Sequence, residues 1–476
     1  MWTKKAQVLI VGGGAAGLSC AWHLKKKIAP QTLLITQPLS NSFLSPWNLM
    51  IKDKQALKKE MLEAGCFMNK RELIDVFLDN IPSIIKELKK IGLRFKKSNI
   101  GLVPDYPLPG KKAIEIFLQK VKRKGIKVLI GKVEKFLLDE KGKIVGTEVK
   151  RKKQRFRVFF NYLVLAGGGI GGMFKYTTGA STNDGSLLAL ALESGLTLEN
   201  LEFFMFHPFL ICDPRFPKVL ISGELLTQME YENEKGQAIL SEKVATALRT
   251  GQFHHIFPEM VKEFYLASLK NKKIYGRLVC SKEWFERFKK ENEFGWVFRN
   301  FTKEQIKKIE IHPAFHFLIG GLSINKKGQT SQKNVYAAGE IAGGLHGANR
   351  IGGLAILEAL VFGRQIAFDI NQKCQKEKPV LVPKNVKPVG QLGVSAKIKE
   401  LAWRALGPVK NDKTLKKFYQ LLKRKKQKTS QEKLLQTIVQ ISLSRKESVG
   451  AFIKEGAPKV RRARPSFVIK KKIVFK

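Results

Sequence analysis

Residues 336–364, YAAGEIAGGLHGANRIGGLAILEALVFGR, are the stretch from which we interpret the rest of the chain. A short run of small residues ends at Gly339 and is followed at once by Glu340, and then by a glycine-rich loop that carries His346 and Arg350. Apolar residues recur at helical spacing after the loop. A strand, a glycine loop and a helix in this order bring backbone N–H groups and a helix N-terminus against an electron-rich ligand. Taken alone, the same pattern is also that of a plain β–turn–α unit.

The N-terminal residues 6–35 have the pattern of a strand, a glycine turn, a helix and a second strand. Gly12, Gly14 and Gly17 have the spacing G-x-G-x-x-G, directly after the first strand and at the start of the helix. This is the context of a dinucleotide-binding site, in which the pyrophosphate lies on the helix N-terminus. The second strand ends at Thr36-Gln37, without the acid that usually binds a ribose hydroxyl, which argues against a typical NAD site.

A third glycine turn follows a strand at residues 164–169, VLAGGG, and residues 127–165 have the pattern of several short strands. Residues 206–310 are rich in charged and aromatic residues, which we interpret as an inserted, mobile domain. The sequence therefore predicts a discontinuous ligand-binding domain, a capping domain and a C-terminal helical domain, with the bounds 1–205 with 311–372, 206–310, and 390–476.

The composition is that of a soluble α/β protein with a large core, because 44% of the 476 residues are apolar and 40 are glycine. No apolar run approaches 18 residues, so we expect no transmembrane helix. The N-terminal residues run directly into the first strand and do not resemble a signal peptide. The five cysteines show no CxxC spacing, which predicts reduced thiols, a cytoplasmic location and no metal site.

The formal net charge is +47, because 87 lysines and arginines stand against 40 acidic residues. Such a charge is typical either of nucleic-acid or membrane binding or of the lysine-rich surface of a thermophile protein. The basic residues are spread along the chain and accompany no nucleic-acid-binding motif, so we favour the second interpretation and expect no nucleic-acid partner. The field would attract anionic substrates. The role of the basic tail, KVRRARPSFVIKKKIVFK, stays open.

The three glycine signatures, in this order, resemble the flavoprotein family of succinate dehydrogenase, fumarate reductase and L-aspartate oxidase. The matching pieces are GGGAAG, LAGGGIGG with TTGASTNDG, LENLEFFMFHP, HFLIGGLSINKKGQT and YAAGEIAGGLHGANRIGG. The C-terminal pieces IKELAWRALGPVKNDKTL and SRKESVGAF are similar to L-aspartate oxidases in particular. The resemblance implies an α/β fold with a Rossmann-like FAD-binding domain, an inserted α+β capping domain and a C-terminal helical domain.

The resemblance also implies FAD as the cofactor. In this family a histidine in the loop after the second strand can attach the flavin covalently. Here that loop is Asn41-Ser42-Phe43-Leu44-Ser45, so we expect noncovalent binding. The residues expected to hold FAD are Gly12, Gly14, Ala15, Ala16, Gly17, Thr36, Gln37, Ser42, Ala166, Gly167, Gly168, Asp184, Gly339, Glu340, Ala355 and Ile356.

The expected chemistry moves a hydride between the flavin N5 and a small dicarboxylate or amino acid. Arg350, in GANRIGG, matches the carboxylate-binding arginine of the family, and a guanidinium offers two parallel donors for that purpose. His316, in HFLIGG, and His207, in FFMFHP, match the two substrate-binding histidines. His346 and His312 lie nearby in the sequence and rank lower as candidates.

Several positions depart from the family pattern. Met205 and Phe209 replace the usual glutamine and threonine around the Phe-His-Pro triplet. Thr246 replaces the proton-shuttling arginine of the cap, and Arg249, about one helical turn further on, is the candidate substitute. The segment LISGELLTQME lacks the usual glutamate and arginine pair. The cofactor half of the site is therefore intact, whereas the substrate half is partly altered.

Three functions remain open from the sequence. The first is an L-aspartate-oxidase-like enzyme that passes electrons to oxygen or fumarate. The second is a fumarate-reductase-like or succinate-dehydrogenase-like flavoprotein subunit that works with a redox partner protein. The third is a flavin-binding protein without dicarboxylate turnover.

Overall fold

The computed structural model describes residues 2–98, 101–221, 223–252, 257–292, 294–374 and 379–476. Along the chain, an N-terminal α/β part is followed by a second unit of strands and helices, by a return to the first sheet, and by a C-terminal part. Among the described residues, no helix combines the length and apolar character needed to span a bilayer.

In its described residues, the N-terminal part contains ten strands and six α-helices. Its strands are β1 (Thr3–Val11), β2 (Thr32–Thr36), β3 (Leu49–Met50), β4 (Phe95–Ser98), β5 (Gly101–Pro104), β6 (Lys127–Ile130), β7 (Lys132–Leu138), β8 (Ile144–Arg151), β9 (Gln154–Leu165) and β10 (Leu198–Glu199). Its helices are α1 (Ala15–His23), α2 (Asn41–Leu44), α3 (Lys54–Ala64), α4 (Arg71–Lys90), α5 (Pro109–Arg123) and α6 (Ser186–Glu193). The short strands expected over residues 127–165 are confirmed as β6 to β9.

The second unit is an α+β insertion with a core of its own. It consists of β11 (Phe204–Ile211), α7 (Gly223–Leu226), β12 (Met229–Asn233), α8 (Glu242–Arg249), α9 (Phe257–Lys270), β13 (Ile274–Leu278), α10 (Lys282–Glu291) and β14 (Lys308–Leu318). Its antiparallel sheet has the order β11-β14-β13-β12, and its core is rich in phenylalanine. Since β11 and β14 extend past residues 206 and 310, these two strands connect the cap with the first domain.

The chain then returns to the first domain and ends in a mixed C-terminal part. The returning elements are β15 (Gly321–Ser323), β16 (Val335–Ala337), β17 (Ala342–Gly343), α11 (Ala355–Lys373) and β18 (Lys387–Val389). The C-terminal elements are α12 (Ala396–Ala405), β19 (Val409–Lys410), α13 (Asp412–Arg424), α14 (Ser430–Ser444), β20 (Ile453–Lys454), β21 (Ser466–Ile469) and β22 (Lys472–Phe475).

The C-terminal part contains the helices α12, α13 and α14, and beside them the short strands β19 to β22. Strand β21 pairs with β10, and β21 with β22 extends the sheet of order β17-β15-β10-β21-β22. The basic tail is therefore an edge hairpin of the first domain. The carboxylate of Glu202 holds the hairpin in place, because it accepts a hydrogen bond from the hydroxyl of Ser466 in β21. The same carboxylate accepts two hydrogen bonds from the fully buried Arg445.

The central sheet places its ligand-facing edge where the predicted glycine turns begin. Strands β1, β2, β6, β9 and β16 run parallel, with Val11 opposite Ile35 and Leu165, and with Leu165 also opposite Ala337. The carboxyl ends of these strands therefore meet at one edge. In open α/β sheets ligands bind in the crevice outside the carboxyl ends of the strands.

Candidate functional site

A cavity of about 480 Å³ opens at this edge of the sheet and extends to the cap. The three glycine turns, far apart in the sequence, all contribute to its wall. Of the residues expected to hold FAD, those that line the cavity are Gly12, Gly14, Ala15, Ala16, Thr36, Gln37, Ser42, Ala166, Gly167, Gly168, Asp184, Gly339, Glu340, Ala355 and Ile356. The expected convergence of the three turns is therefore present in the structure.

Gly17 is the exception, because it does not line the cavity. A Cβ on Gly17 would lie 1.9 Å from the carbonyl oxygen of Gly12. Its function is to let α1 pack closely on the turn after β1, as the third glycine of this motif does in general. The expectation that Gly17 contacts the cofactor is corrected to a packing role.

Gly12 permits a close approach between the first and third turns. Its φ is +120°, and a Cβ there would lie 2.0 Å from the carbonyl oxygen of Ala166. Only glycine combines this backbone conformation with so short a separation. The first glycine thereby brings the end of β1 against the end of β9.

Two helix N-termini point into the cavity. Helix α1 begins at Ala15, whose N–H donates to the Ser42 hydroxyl oxygen at 3.1 Å, and α11 begins at Ala355. The unpaired N–H groups and the helix dipole make such termini favourable sites for anionic or electron-rich groups. The cavity is therefore suited to a ligand with a pyrophosphate and a polar ring system.

Glu340 lines the cavity and connects two of the segments around it by hydrogen bonds. Its Oε1 accepts from the backbone N–H of Leu318 at 3.1 Å, and its Oε2 accepts from Asn41 Nδ2 at 3.0 Å. Burial is the main cause that raises the pKa of Glu340 to about 7, although these donors oppose it. Glu340 thus joins the loop after β2 to the end of β14.

Replacing Glu340 by alanine is expected to weaken FAD retention on the order of 10- to 100-fold, because two buried donors lose their acceptor and the loop at Asn41 loses its anchor. The measurement is the FAD content after gel filtration, together with a FAD titration of the stripped protein. The matched control is Glu60→Ala, which removes an exposed carboxylate of α3 paired with Lys52. Unchanged FAD affinity in Glu340→Ala would show that this carboxylate does not organise the cofactor site.

The raised pKa of Glu340 also predicts a pH-dependent stability of the FAD-free protein. The folded chain holds this proton up to a pH of about 7, whereas the unfolded chain releases it near 4.5. The stabilising contribution is therefore complete below 4.5 and is lost as the pH rises through 7, with a size of no more than about 3 kcal/mol. Glu340→Gln should flatten the fall in the free energy of unfolding between pH 5 and 8, measured by urea titration. An identical fall in the two proteins would contradict the assignment.

Asp184 forms an ion pair with Lys132, with Nζ and Oδ2 2.6 Å apart, and its Oδ1 accepts from the N–H of Ser186. Both partners line the cavity near the end of β2. The neighbouring Asn183 also lines it, and its buried Nδ2 has no hydrogen-bond partner. A buried amide donor without a partner is unfavourable, so this donor is available to a ligand.

The substrate half of the cavity brings together Arg350, His316 and His207. The rings of His207 and His316 are 5.8 Å apart, and His316 Nδ1 lies 2.8 Å from the Thr178 hydroxyl oxygen. Burial lowers the pKa of His207 to about 4 and that of His316 well below its usual value, with the Arg350 charge adding to the second shift. Both histidines are therefore neutral at physiological pH.

Arg350 is buried in the cavity wall and keeps its charge there. Its guanidinium lies over the Phe317 ring at 4.4 Å, and Nη1 donates to the carbonyl oxygen of Ile351 at 3.2 Å. Its Nε has no hydrogen-bond partner. Burial lowers the pKa of Arg350 to about 10, which still leaves it protonated at neutral pH. Such a cation stabilises an anion that enters the cavity.

The lower-ranked histidines have structural roles outside the cavity. His346 Nε2 lies 2.9 Å from Glu358 Oε2 in a fully buried pair. His312 stacks on Tyr176 with ring centroids 3.6 Å apart, and it also contacts Trp403.

Arg249, the candidate substitute for the cap arginine, lies away from the cavity lining that the structure describes. It is half exposed at the end of α8, where it donates to Glu242 Oε1 at 2.5 Å and to the Thr246 hydroxyl oxygen at 2.9 Å. Arg249 lies one helical turn from Thr246 and therefore on the same face of α8. Glu242 lies on that face too, and Arg249 forms an ion pair with it.

Phe209 and Met205, the two positions beside His207 that depart from the family pattern, do not belong to the cavity lining that the structure describes. Phe209 is buried in the cap core against Phe264 and Tyr231, with ring centroids 4.7 and 5.5 Å away. Met205 packs against a separate apolar cluster. In place of the hydroxyl that the resemblance led us to expect at position 209, the chain has a core residue.

Sequence reasoning missed several lining residues. Asn41, Lys132 and Thr178 hold Glu340, Asp184 and His316, and Val219, Leu220 and Ile221 form an apolar wall from the cap. Thr178 lies in the TTGASTNDG motif and Asn41 in the loop after β2, so their polar side chains could have been predicted from the sequence to line the site. The segment 219–221 carried none, because its position depends on pairing with β11.

The residues present fit FAD. The close-packed glycine turns form part of the cavity wall, two helix N-termini begin there, and the side-chain Nδ2 of Asn183 lacks a hydrogen-bond partner. Residues 39–48 contain no histidine, cysteine or tyrosine, so this loop offers no side chain for covalent attachment.

Comparisons with known proteins agree with this site. L-aspartate oxidase of Clostridium perfringens is 26% identical over 77% of this chain and 87% of its own length. That of Pyrococcus furiosus is 25% identical over 95% of this chain and 96% of its own length. Among solved structures, Mycobacterium smegmatis Sdh1 in complex with UQ1 has a TM-score of 0.79 at 18% identity, covering 98% of this chain and 92% of its own. E. coli quinol fumarate reductase FrdA has a TM-score of 0.76 at 17% identity, covering 100% and 97%.

The family model described as FAD binding domain matches residues 7–356, well over half of the chain. The match begins in β1 and ends at the start of α11, so it contains all three glycine turns and the inserted cap. The chain therefore belongs to the FAD binding domain family, and it is a FAD-dependent oxidoreductase.

Proposed function

We propose that the chain oxidises a small carboxylate-bearing substrate, a dicarboxylate or an amino acid, in the manner of an L-aspartate oxidase. The observation that carries the proposal is the buried Arg350, a cation with an unpartnered Nε in the wall of the cavity, beside two neutral histidines. The curated relatives named L-aspartate oxidase support the same substrate class. The proposed site residues are Arg350, His316 and His207 for the substrate and the fifteen lining residues given above for the cofactor.

Arg350 binds the substrate carboxylate. The Phe317 ring and the Ile351 carbonyl oxygen hold the guanidinium in place. A planar guanidinium contacts both oxygens of a carboxylate, which orients the substrate as well as binding it. Bound FAD would be held by the glycine turns and would supply the hydride acceptor, and Arg350 would orient the substrate so that its reacting C–H bond faces the cofactor.

The two histidines act as neutral hydrogen-bonding groups. The backbone N–H of Phe209 donates to His207 Nδ1 at 3.3 Å, so the ring proton of neutral His207 is on Nε2. His207 can therefore donate from Nε2 to the substrate. Thr178 fixes the orientation of His316, whose Nε2 is left for the substrate.

A second candidate is a flavin-binding protein without dicarboxylate turnover. It is favoured by the cap, where Thr246 occupies the position of the proton-shuttling arginine and Arg249 is paired with Glu242. Loss of one transition-state cation lowers turnover by roughly two to three orders of magnitude.

We propose a cytoplasmic location, which is supported by the five cysteines. All five are free thiols in the structure, and disulfides are rare in reducing compartments. The electron acceptor we propose is oxygen, fumarate or a redox partner protein.

The experiment that tests the proposed function is anaerobic flavin reduction of the purified holoprotein. Bleaching of the flavin absorbance by an added carboxylate or amino acid would support the proposal, and reoxidation by oxygen, fumarate or a dye would then identify the acceptor. Fumarate consumption with a reduced dye would instead favour a fumarate-reductase-like subunit. A protein that keeps its FAD but is reduced by none of these compounds would leave the second candidate.

A further inference from the structure

Two walls of the cavity are joined at its rim, near the ends of β2 and β6. One wall consists of residues that follow these strands, and the other is the segment before α6. Gln37 Nε2 donates to the Thr182 carbonyl oxygen at 3.3 Å, and the Thr182 hydroxyl donates to the Leu39 carbonyl oxygen at 2.8 Å. Lys132 Nζ donates to Asp184 Oδ2 at 2.6 Å. All five residues line the cavity, so the three contacts connect its two walls.

These contacts lie on the solvent side of the cavity. The side chain of Lys132 is 32% exposed and that of Asp184 is 18% exposed, and Thr182 is half-buried. Asn183, which stands between Thr182 and Asp184 in the chain, is buried, and its Nδ2 has no hydrogen-bond partner. The contacts therefore close the rim beside a buried donor that is available to a ligand.

This end of the cavity is suited to the nucleotide half of a dinucleotide. In such sites the pyrophosphate lies at the first glycine turn, and the ribose lies near the end of the second strand. Here Val11 stands opposite Ile35, and the Gly131 N–H donates to the Thr36 carbonyl oxygen at 2.9 Å. Lys132 follows Gly131 directly, so it lies close to the end of the second strand, where the ribose is expected.

The charges at the rim favour a ligand that carries phosphate groups. Asp184 by itself would repel the negative charges of a pyrophosphate. The ammonium of Lys132 compensates the charge of this carboxylate at hydrogen-bonding distance and adds a donor to the wall. Because the pair is partly exposed, it can separate when a ligand enters and form again afterwards.

We infer that Lys132 is a further cofactor-binding residue, which forms with Asp184 an ionic clasp that closes over the nucleotide half of FAD and slows its release. The clasp is the ion pair of these two side chains at the rim. The contacts of Thr182 with Gln37 and Leu39 hold the neighbouring part of the rim in register with it. Retention of the cofactor does not depend on which substrate is oxidised, so the clasp is independent of the proposed function.

The test is the rate at which FAD leaves the Lys132→Met holoprotein. The protein is diluted, and the free FAD is separated by ultrafiltration at intervals. We expect the dissociation rate constant to rise about 10-fold, because a charge-assisted hydrogen bond is lost while the length of the side chain is kept. Lys132→Arg keeps a cation at the rim and should restore most of the slow release.

Salt gives a readout that a merely structural role of Lys132 would not change. Raising the ionic strength from about 0.1 M to about 1 M shortens the Debye length from about 10 Å to about 3 Å. The partly exposed pair is then screened, so release of FAD from the wild-type protein should become faster. Lys132→Met should lose most of this salt dependence.

The matched control is Lys135→Met. Lys135 also belongs to β7 and pairs with an acid, Glu148, at 3.3 Å, but it lies outside the described cavity lining. This variant should release FAD at the wild-type rate. A second comparison introduces Lys132→Met into a protein that already carries Asp184→Asn. If the ammonium acts through the clasp, Lys132→Met should change the release rate much less there than in the wild-type protein.

Three results would overturn the clasp. The first is release of FAD from Lys132→Met at the wild-type rate, and the second is an equal acceleration in Lys135→Met. The third is an undiminished effect of Lys132→Met in the protein that carries Asp184→Asn, since Lys132 would then act without its partner. None of these measurements requires turnover, so their failure would leave the proposed function untouched.

Discussion

Replacing Arg350 by alanine is expected to abolish substrate turnover while FAD stays bound. Arg350 is the buried guanidinium at the substrate end of the cavity, and its charge has no carboxylate partner within hydrogen-bonding distance among the described residues. Removing such a cation lowers kcat/KM by roughly two to three orders of magnitude. The measurement is the rate of anaerobic flavin reduction over a range of substrate concentrations, together with the FAD content of the variant.

Two further variants make the result specific. Arg350→Lys keeps the charge but loses the planar pair of donors, so we expect a smaller loss that lies mainly in KM. Phe317→Leu removes the ring under the guanidinium and keeps the charge, and it should therefore lower activity less than Arg350→Ala does. Full activity of Arg350→Ala would show that the substrate carboxylate binds elsewhere. Loss of FAD from Arg350→Ala would show instead that the arginine organises the cofactor site.

The cofactor half of the site was predictable from the sequence because its determinants are local. Each glycine turn is a short glycine-rich segment that directly follows an apolar strand. The parallel pairing of β1, β9 and β16 then brings the three turns to the same edge of the sheet. Glu340 and Arg350 belong to one such run. Gly17 differs from the other two glycines of its motif, because it packs against the carbonyl group of Gly12 and does not line the cavity, which is the role that the third glycine of this motif has in general.

The substrate half was less predictable because it depends on contacts between distant segments. Helical spacing placed Arg249 on the face of Thr246, but the spacing does not show that Glu242 would pair with it. The apolar wall at residues 219–221 exists because that segment pairs with β11. In the sequence, the C-terminal hairpin has only the pattern of a basic tail. It forms a part of the sheet because β21 pairs with the edge of β10 and β22 pairs with β21.

Gly12→Ala is expected to eliminate FAD binding. The added Cβ would lie 2.0 Å from the carbonyl oxygen and 2.4 Å from the carbonyl carbon of Ala166, and these are backbone atoms that cannot turn aside as a side chain can. The turns after β1 and β9 would have to separate, and both line the cavity. The strain of a non-glycine residue at a φ of +120° adds to the effect.

The control for Gly12→Ala is Gly142→Ala. Gly142 also has a positive φ, +74°, but a Cβ there meets no atom within 4 Å. It therefore carries the conformational cost, about 1 kcal/mol, without the collision. We expect Gly142→Ala to purify with a full complement of FAD and a slightly lower Tm, whereas Gly12→Ala should be colourless and should bind no added FAD in a titration. If Gly12→Ala retained FAD at wild-type affinity, the close approach of the two turns would not be required for the cofactor, and the convergence of the glycine turns would lose its functional meaning.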